Sequence, residues 1–408
     1  MKKMNYGFVG LKGANRMIGL FCFDGPLYKD CNGVYCNVTL TNEMFNRYFC
    51  VVDKLIIVVR TFYKDEDYKS LNMKPLELDN IEVVEVENLN NVKGQLVYKK
   101  QFIDSVLPIV LKTDLIFARM PSTTSDVIIK IAQRIKKPYL VEVGGCAWDA
   151  FWNHGFIGKM IAPYMYINEK KGIKDAAFAT YVTKKFLQER YPNHQVSSNC
   201  SNVYIDDISD DVLYDRIRKI QHSDECKIIL GQAVNSIDVK YKGEHLIVKA
   251  MPVLQNMKIN VEYQIVGPGT GEYIKNIARK CKVTDKVRFI GTLRKEQMLE
   301  WYKNIDIYVQ PSKQEGLPRS VIEAMSCGCP CIGSNLAGIP ELLDGKCLID
   351  PDNQKSILKV LLWLQDKNNR IQQARTNFYR AKEYNIVEIE KRRRKIFEEY
   401  RKYIMDIR

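Results

Sequence analysis

Residues 314–343 read QEGLPRSVIEAMSCGCPCIGSNLAGIPELL, a turn, a short helix and a buried strand in close succession. The apolar positions predict a helix over residues 319–327, and Pro318 suits its first turn, where a missing N–H costs nothing. The amides of Gly316 and Leu317 would then point outward at the positive end of this helix. That arrangement predicts an anion site, and a phosphate-bearing ligand fits it best.

Two carboxylates flank the predicted anion site. Glu315 lies in the turn, and Glu323 follows eight positions later, about two helical turns into the helix. We expect Glu315 to face the hydroxyl-rich part of a ligand and Glu323 to accept hydrogen bonds from a vicinal diol such as a ribose. The alternative is that Glu315 only caps the helix and Glu323 is a solvated surface acid. The ordered turn, helix and strand around the pair favour the ligand role.

The extended segment PSKQEGLPRSVIEAMSCGCPCIGSNLAGIPELL resembles the donor-site signature of glycosyltransferase family 4. The Pro-Ser pair at 311–312, the glutamates at 315 and 323, and Gly-Ile-Pro-Glu at 338–341 match that pattern in order. The likeness is specific in the C-terminal half and diffuse in the N-terminal half. It implies an α/β protein of the GT-B fold, with two Rossmann-like doubly wound domains facing across a cleft, and a retaining reaction.

Composition limits the class of protein and its partners. A chain of 408 residues can form two domains, each with its own core. We predict a cytoplasmic protein, because no apolar run approaches the about 20 residues of a membrane span and the N-terminus lacks signal-peptide features. The net charge of +14 requires an anionic substrate, membrane surface or nucleic acid. Nucleic acid is disfavoured, because no recognition motif accompanies the charge.

The N-terminal half alternates strand and helix signals, which predicts a doubly wound parallel sheet. The predicted strands are residues 6–10, 55–59, 81–86, 114–119 and 139–143. Ligands of such sheets bind at the carboxyl ends of the strands. Arg119, Glu142 and Asp149 are therefore the acceptor-side candidates, and solvation or a local ion pair is the alternative for each.

Two further features of this half are interpreted through the resemblance. The family loop that matches the glycine turn at 32–35 reaches toward the donor, so Gly33 is a donor-contact candidate, with a simple turn glycine as the alternative. Many family members carry an acceptor-side histidine after the strand at 139–143. Here Gly144 and Gly145 occupy that place, and His154 is predicted to be a surface or packing residue.

The C-terminal half begins with a buried-strand signal at residues 227–231. The family pairs a Gly-Arg strand end with a Lys-Gly helix start, and both basic side chains hold the donor diphosphate. Lys242 matches that lysine. Gln232 stands where arginine is usual and is also a donor-binding candidate, because it can donate a hydrogen bond although it brings no charge. The segment after the next strands lines the base pocket in the family, which makes Thr292 and Leu293 the base-contact candidates.

The resemblance implies an acceptor-side domain at residues 1–204, a nucleotide-sugar domain at 205–385, and a helix at 386–408 that crosses back to the first domain. A strand at 201–204 would precede the linker. The terminal helix carries the basic run 391–395, which could also lie on an anionic bilayer, although a solvated helix face is the commoner fate.

The function implied is a glycosyltransferase of hexosyltransferase type. It would move a sugar from a UDP- or GDP-sugar to a hydroxyl acceptor, a lipid-linked glycan in capsule, O-antigen or exopolysaccharide synthesis. Lys242 and Glu315 are the catalytic candidates, with Lys242 stabilising charge on the departing diphosphate. No metal and no cofactor are expected. The alternatives are a nucleotide-sugar epimerase of GT-B fold and a catalytically silent GT-B-like binding subunit.

Overall fold

The computed structural model describes residues 16–91, 94–152, 155–223 and 227–408. The predicted strand at 6–10 and His154 lie outside these residues. The strands are β1 (Ile18–Lys29), β2 (Tyr35–Asn37), β3 (Lys54–Tyr63), β4 (Lys74–Pro75), β5 (Ile81–Val86), β6 (Leu115–Met120), β7 (Leu140–Val143), β8 (Phe178–Tyr181), β9 (Val196–Asn199), β10 (Lys227–Ala233), β11 (Asn260–Val266), β12 (Val287–Gly291), β13 (Ile307–Gln310), β14 (Cys331–Ser334) and β15 (Leu348–Ile349).

Helices connect most of these strands. They are α1 (Asn42–Asn46), α2 (Lys99–Lys112), α3 (Thr123–Arg134), α4 (Ala147–Trp152), α5 (Gly155–Lys174), α6 (Phe186–Arg190), α7 (Asp211–Gln221), α8 (Glu244–Asn256), α9 (Glu272–Lys280), α10 (Lys295–Asn304), α11 (Arg319–Ser326), α12 (Gln354–Trp363), α13 (Lys367–Ala381) and α14 (Ile386–Asp406). Among the described residues, no helix is long and apolar enough to cross a membrane.

The strands form two sheets. The first runs in the order β4-β2-β1-β6-β7-β8-β9, with β3 paired to β1 and β5 paired to β3. The second has the order β12-β11-β10-β13-β14-β15, and every pair in it is parallel. In chain order this second arrangement is 3-2-1-4-5-6, the doubly wound order of a Rossmann domain. The predicted α/β class with parallel sheets is therefore present.

The second sheet has a dense aliphatic core. Buried residues of β10, β11 and β13 pack against one face of α8 and α12; among them are Ile228, Leu230, Val261, Ile247 and Ile357. β10 and β13 contain continuous apolar runs, because helices cover both faces of a parallel sheet, whereas Glu262 and Gln264 interrupt β11. The core fixes the strand ends from which the functional loops emerge.

Contacts between Cα atoms divide the chain into two compact units. One contains residues 1–141, 176–178 and 394–408, and the other contains residues 142–175 and 179–393. In the first unit, the Tyr400 hydroxyl accepts a hydrogen bond from the Ile116 amide at 3.1 Å and donates to the Pro138 carbonyl at 3.1 Å. This buried tyrosine ties residues 394–408 into the core of that unit.

Two sequence expectations differ from the structure. β1 was not predicted, because Asp-Gly-Pro at 24–26 is typical of a turn; here it forms an irregularity within the strand, where the register against β3 shifts between Phe23 and Leu27. The strand predicted at 201–204 is wrong. The Ser201 hydroxyl accepts a hydrogen bond from the Val203 amide at 3.0 Å, and this local side-chain turn competes with strand pairing.

Candidate functional site

The candidate site lies where the strand order of the second sheet reverses. β10 and β13 are neighbours there, with Leu230 opposite Ile307, and their connections run to opposite sides of the sheet. Ligands of doubly wound sheets bind outside the carboxyl ends of the strands at this point. The segment after β10 contains Lys242, and the segment after β13 contains Glu315, so the two catalytic candidates follow the two strands of the switch point.

Lys242 and Glu315 form a close ion pair at this position. The Lys242 Nζ lies 2.8 Å from the Glu315 Oε1, and the side chains are only 13% and 11% exposed. Gln310, the last residue of β13, donates from its Nε2 to the same Glu315 oxygen at 2.8 Å. An ammonium group has three N–H donors, so the pairing with one carboxylate oxygen leaves capacity for an anionic ligand.

The backbone before α8 brings Lys242 to this place. Residues Lys240–Lys242 form a single turn of 3-10 helix, and Gly243 follows with φ +83°. A Cβ on Gly243 would lie 2.1 Å from the Pro311 carbonyl oxygen. Glycine is therefore required both for the left-handed conformation and for the close approach of the two segments.

The sequence predicts that Gln232 contacts the donor, but its side chain is turned into the interior of the domain. It is fully buried in β10, its Nε2 donates to the Lys242 carbonyl at 2.9 Å, and its Oε1 accepts from the Tyr263 hydroxyl. The side chain thus holds the Lys242 turn from inside the domain. Lys240 does not join the ion pair; its Nζ lies 4.9 Å from the centre of the Tyr273 ring.

Glu323 lies on α11, whose start at Pro318 has no side-chain cap. Its Oε2 accepts a hydrogen bond from the Tyr302 hydroxyl of α10 at 3.1 Å. Burial raises the pKa of Glu323, and the positive charge of Arg319 opposes that rise. The carboxylate is thus half-buried and held by one neutral donor, which suits it to accept further hydrogen bonds from a ligand.

The Gly-Ile-Pro-Glu turn is bound to the loop that precedes α6. The Glu341 carboxylate accepts three backbone N–H groups, from Lys184 at 2.6 Å, Phe186 at 2.7 Å and Lys185 at 3.1 Å. Bonds from N–H groups to an ionised carboxylate are stronger than those between neutral groups. Sequence analysis gave this glutamate only as part of a motif, because its partners lie far away in the chain.

The turn at residues 315–318, which is predicted to bind the donor and is called the donor turn below, is in close backbone contact with segments on both sides. The Gly338 amide donates to the Gly316 carbonyl at 2.9 Å, and a Cβ on Gly338 would lie 2.4 Å from that oxygen. On its other side, a Cβ on Gly316 would lie 3.1 Å from the Gly144 carbonyl oxygen. Glycine is therefore required at position 338, whereas a side chain at position 316 would require only a small shift of the loop after β7.

A second group of ionisable residues follows β7, and sequence analysis missed it. The Cys146 thiol and the Tyr191 hydroxyl are 3.1 Å apart, and Glu169 of α5 accepts the Ala147 amide at 2.8 Å. Burial raises the pKa of Glu169 to about 8. Asp149, an acceptor-side candidate, lies 4.0 Å from an Arg190 nitrogen. The available signal was Glu169, the single acid in a long apolar and lysine-rich segment.

The other predicted residues are spread over both compact units. Glu142 is buried inside β7, and Thr292 is exposed while Leu293 is half-buried after β12. In the other unit, Gly33 lies in the turn of the β1–β2 hairpin and not in a loop that opens directly into a helix. Arg119 stacks its guanidinium over the Phe21 and Phe23 rings. The roles given to these residues stay predictions.

Comparison with known proteins identifies a family and a relative that this chain resembles. The model of the family described as Glycosyl transferases group 1 matches residues 216–381. Protein CapJ of Staphylococcus aureus is 31% identical and covers 95% of this chain and 96% of its own length.

Two solved structures share the fold. WaaG, a glycosyltransferase involved in lipopolysaccharide biosynthesis, aligns with a TM-score of 0.60 at 14% identity over 93% of this chain and 99% of its own. Anabaena HepE, solved in complex with UDP, aligns with a TM-score of 0.59 at 14% identity over 92% and 97%. These likenesses confirm the predicted α/β GT-B fold class.

Proposed function

Because this chain belongs to the group 1 glycosyl transferases, we propose that it moves a sugar from a UDP- or GDP-sugar to a hydroxyl acceptor with retention at the anomeric carbon. The chain is a glycosyltransferase; the donor, the stereochemistry and the place in family 4 are the proposal. The observation that carries it is the Lys242–Glu315 ion pair at the switch point of the second sheet. The binding of UDP by HepE, a protein of the same fold, supports a nucleotide donor.

In the proposed reaction, the bond from the anomeric carbon to the β-phosphate oxygen breaks, and its electron pair leaves on the diphosphate. Lys242 stabilises this developing charge with its remaining N–H groups, together with the uncapped start of α11. The site is preorganised, because Gln310 and Gln232 already hold Glu315 and the Lys242 turn in place.

The two glutamates of the motif bind the ends of the donor. Glu315 accepts from the hydroxyls of the transferred sugar while it stays close to Lys242, and Glu323 accepts from the ribose hydroxyls. Thr292 and Leu293 line the base. The acceptor oxygen bonds to the anomeric carbon on the face that the diphosphate leaves, and its proton passes to the departing diphosphate oxygen. This scheme needs no covalent nucleophile and no metal ion.

The acceptor we propose is a lipid-linked glycan, extended at the cytoplasmic face of a membrane during assembly of a surface polysaccharide. Support comes from the family resemblance and from WaaG, a protein of the same fold that is involved in lipopolysaccharide biosynthesis. Among the acceptor-side candidates, Asp149 on α4 and Arg119 are part-exposed, whereas Glu142 is buried. The net charge of +14 is compatible with an anionic lipid carrier.

The experiment is a thermal-shift and hydrolysis screen of nucleotide sugars on wild type, on Glu323→Ala, and on Glu272→Ala. Glu272 is an exposed glutamate of α9 and serves as the matched control. We expect one donor to stabilise and to be slowly hydrolysed by wild type and by the control, and Glu323→Ala to lose both effects.

Other outcomes would contradict the proposal. Isomerisation of the donor without an acceptor would identify an epimerase. Binding of a donor with no turnover, even with acceptor lipid present, would identify a binding subunit.

A further inference from the structure

Helix α5 exposes a row of large apolar side chains. Phe156 is 78% exposed, Met160 69%, Tyr164 57% and Ile167 63%. Spacings of four, four and three residues place these four side chains on one face of the helix. Single exposed apolar residues are ordinary, but a contiguous row of this size marks an interaction surface.

The opposite face of α5 is packed, so the row is not a sign of a poorly folded helix. Ala162 and Ile173 are fully buried there, and Tyr166 packs edge-on against Trp148 and tilted against Tyr191. The helix therefore has its core contacts on one side and a second apolar surface on the other.

The charged residues of α5 indicate which kind of partner the apolar row binds. The exposed ionisable residues of α5 are all lysines: Lys159, Lys170, Lys171 and Lys174. Its single acid, Glu169, is buried on the other side. An apolar row flanked by lysines, with no exposed acid, fits the interface of an anionic lipid bilayer, where the rings enter the headgroup region and the ammonium groups meet lipid phosphates.

The terminal basic run is less suited to this role. Arg393 is buried, donates to the Ser201 carbonyl at 2.7 Å and pairs with Glu390. Lys395 lies 4.0 Å from Glu399 on the same helix. The run therefore presents fewer free charges than its sequence suggests, and it has no adjoining apolar row of comparable exposure.

We propose that the α5 face, defined as Phe156, Met160, Tyr164 and Ile167 with the four lysines, docks this enzyme on an anionic lipid bilayer. This inference rests on the proposed function, because docking on a bilayer is useful to an enzyme whose acceptor is linked to lipid. The loop after β7 leads through α4 into α5, and its Gly144 carbonyl packs against Gly316 of the donor turn. A bilayer that is bound at α5 would thus bring a lipid-linked acceptor to the segment that contacts the donor site.

The test is sedimentation of the full-length protein with vesicles of phosphatidylcholine alone or of phosphatidylcholine and phosphatidylglycerol in equal parts. The variants are Phe156→Ser with Met160→Ser, and Lys170→Gln with Lys171→Gln. The controls are Leu111→Ser, an apolar residue of α2 that is 59% exposed, and Lys391→Gln with Lys395→Gln. We expect wild type and both controls to bind the anionic vesicles, and each α5 variant to bind about tenfold more weakly.

Donor hydrolysis in solution, measured on the same proteins, separates this inference from the proposed function. The α5 variants should hydrolyse donor as wild type does but transfer more slowly to an acceptor embedded in anionic vesicles. Equal vesicle binding by wild type and α5 variants would overturn the inference, and so would a loss confined to the terminal-run variant. A concentration-dependent dimer that Phe156→Ser abolishes would instead assign the face to a second copy of the chain.

Discussion

Two loops each follow a fully buried strand: the turn between β13 and α11, and the loop after β7. Each lies beside a buried carboxyl group, but the two carboxyl groups have different hydrogen-bond and charge partners. Glu315 in the first is matched by Lys242 at 2.8 Å and by the Gln310 amide. Glu169 beside the second accepts hydrogen bonds from the Ala147 amide and the Tyr191 hydroxyl, which are both neutral donors, and burial raises its pKa to about 8. Direct contact with an opposite charge offsets the cost of removing a carboxylate from water, whereas neutral hydrogen-bond donors offset it only in part.

This difference in partners indicates a different role for each region. The donor turn keeps a charged pair in a fixed geometry, which suits a ligand whose negative charge increases as the diphosphate leaves in the proposed reaction. The β7 region keeps a carboxyl group whose pKa is raised by burial, which favours the neutral form and suits a structural or hydrogen-bonding role. Four predictions test this comparison, and they are ordered from the largest expected effect to the smallest.

Lys242→Met should reduce turnover by about 10²- to 10³-fold, the usual cost of losing one preorganised donor to a developing charge. The substitution also leaves Glu315 without its cation. The measurement is steady-state transfer or donor hydrolysis. Lys240→Met is the matched control, because that ammonium lies over the Tyr273 ring and should change turnover little. Similar losses in both variants would show that general positive charge, not the ion pair, matters.

Glu341→Ala should lower the free energy of unfolding by about 1–3 kcal/mol, because three backbone N–H groups lose their shared acceptor. Glu341→Gln keeps one acceptor oxygen and should fall between wild type and alanine. Chemical denaturation measures the change. Glu383→Ala, an exposed glutamate that pairs with Lys184, serves as the control. A smaller loss for Glu341→Ala than for this control would contradict the structural role.

Glu169→Gln should alter how stability depends on pH. Burial raises the pKa of this carboxyl from 4.5 to about 8, so the folded protein holds a proton that the unfolded chain releases. Stability should therefore fall as pH rises across that window, by at most about 1.4 kcal/mol per pH unit from this group. Glu244, with a pKa raised by burial to about 7, adds to the fall in the lower part of the window.

The measurement is denaturant unfolding at several pH values between 4.5 and 8. The glutamine variant should have a flatter profile, and Glu189→Gln, an exposed glutamate of α6, should follow wild type. Parallel profiles for wild type and Glu169→Gln would show that this carboxyl is ionised in the folded protein and would remove the contrast with Glu315.

Removal of divalent metal should have the smallest effect. If Lys242 and the start of α11 supply the positive field for the diphosphate, chelation should leave transfer unchanged. The measurement is the rate with chelator and after re-addition of magnesium or manganese. A loss of activity restored by metal would show that the protein charge at the donor turn is not sufficient.

Much of the local structure could be predicted from the sequence alone. β5, predicted at residues 81–86, has the predicted bounds, and α14, predicted at 386–408, agrees with the structure to within two residues, because their apolar periodicity extends over the whole element. The segment 311–343 also predicted α11 and β14, since proline and glycine mark the boundaries directly. Local signals failed where an unusual backbone overrode them, as at Asp-Gly-Pro within β1.

The tertiary structure decided which groups face one another. Sequence gave Gln232 a ligand contact by its place in the motif, but packing buries it under the Lys242 turn. The partners of Glu341 lie 157, 156 and 155 positions away, a separation that leaves no periodic trace. Sequence thus determined the elements and the chemical groups of the site, because these depend on neighbours in the chain. Pairing and burial depend on distant residues that only folding brings together.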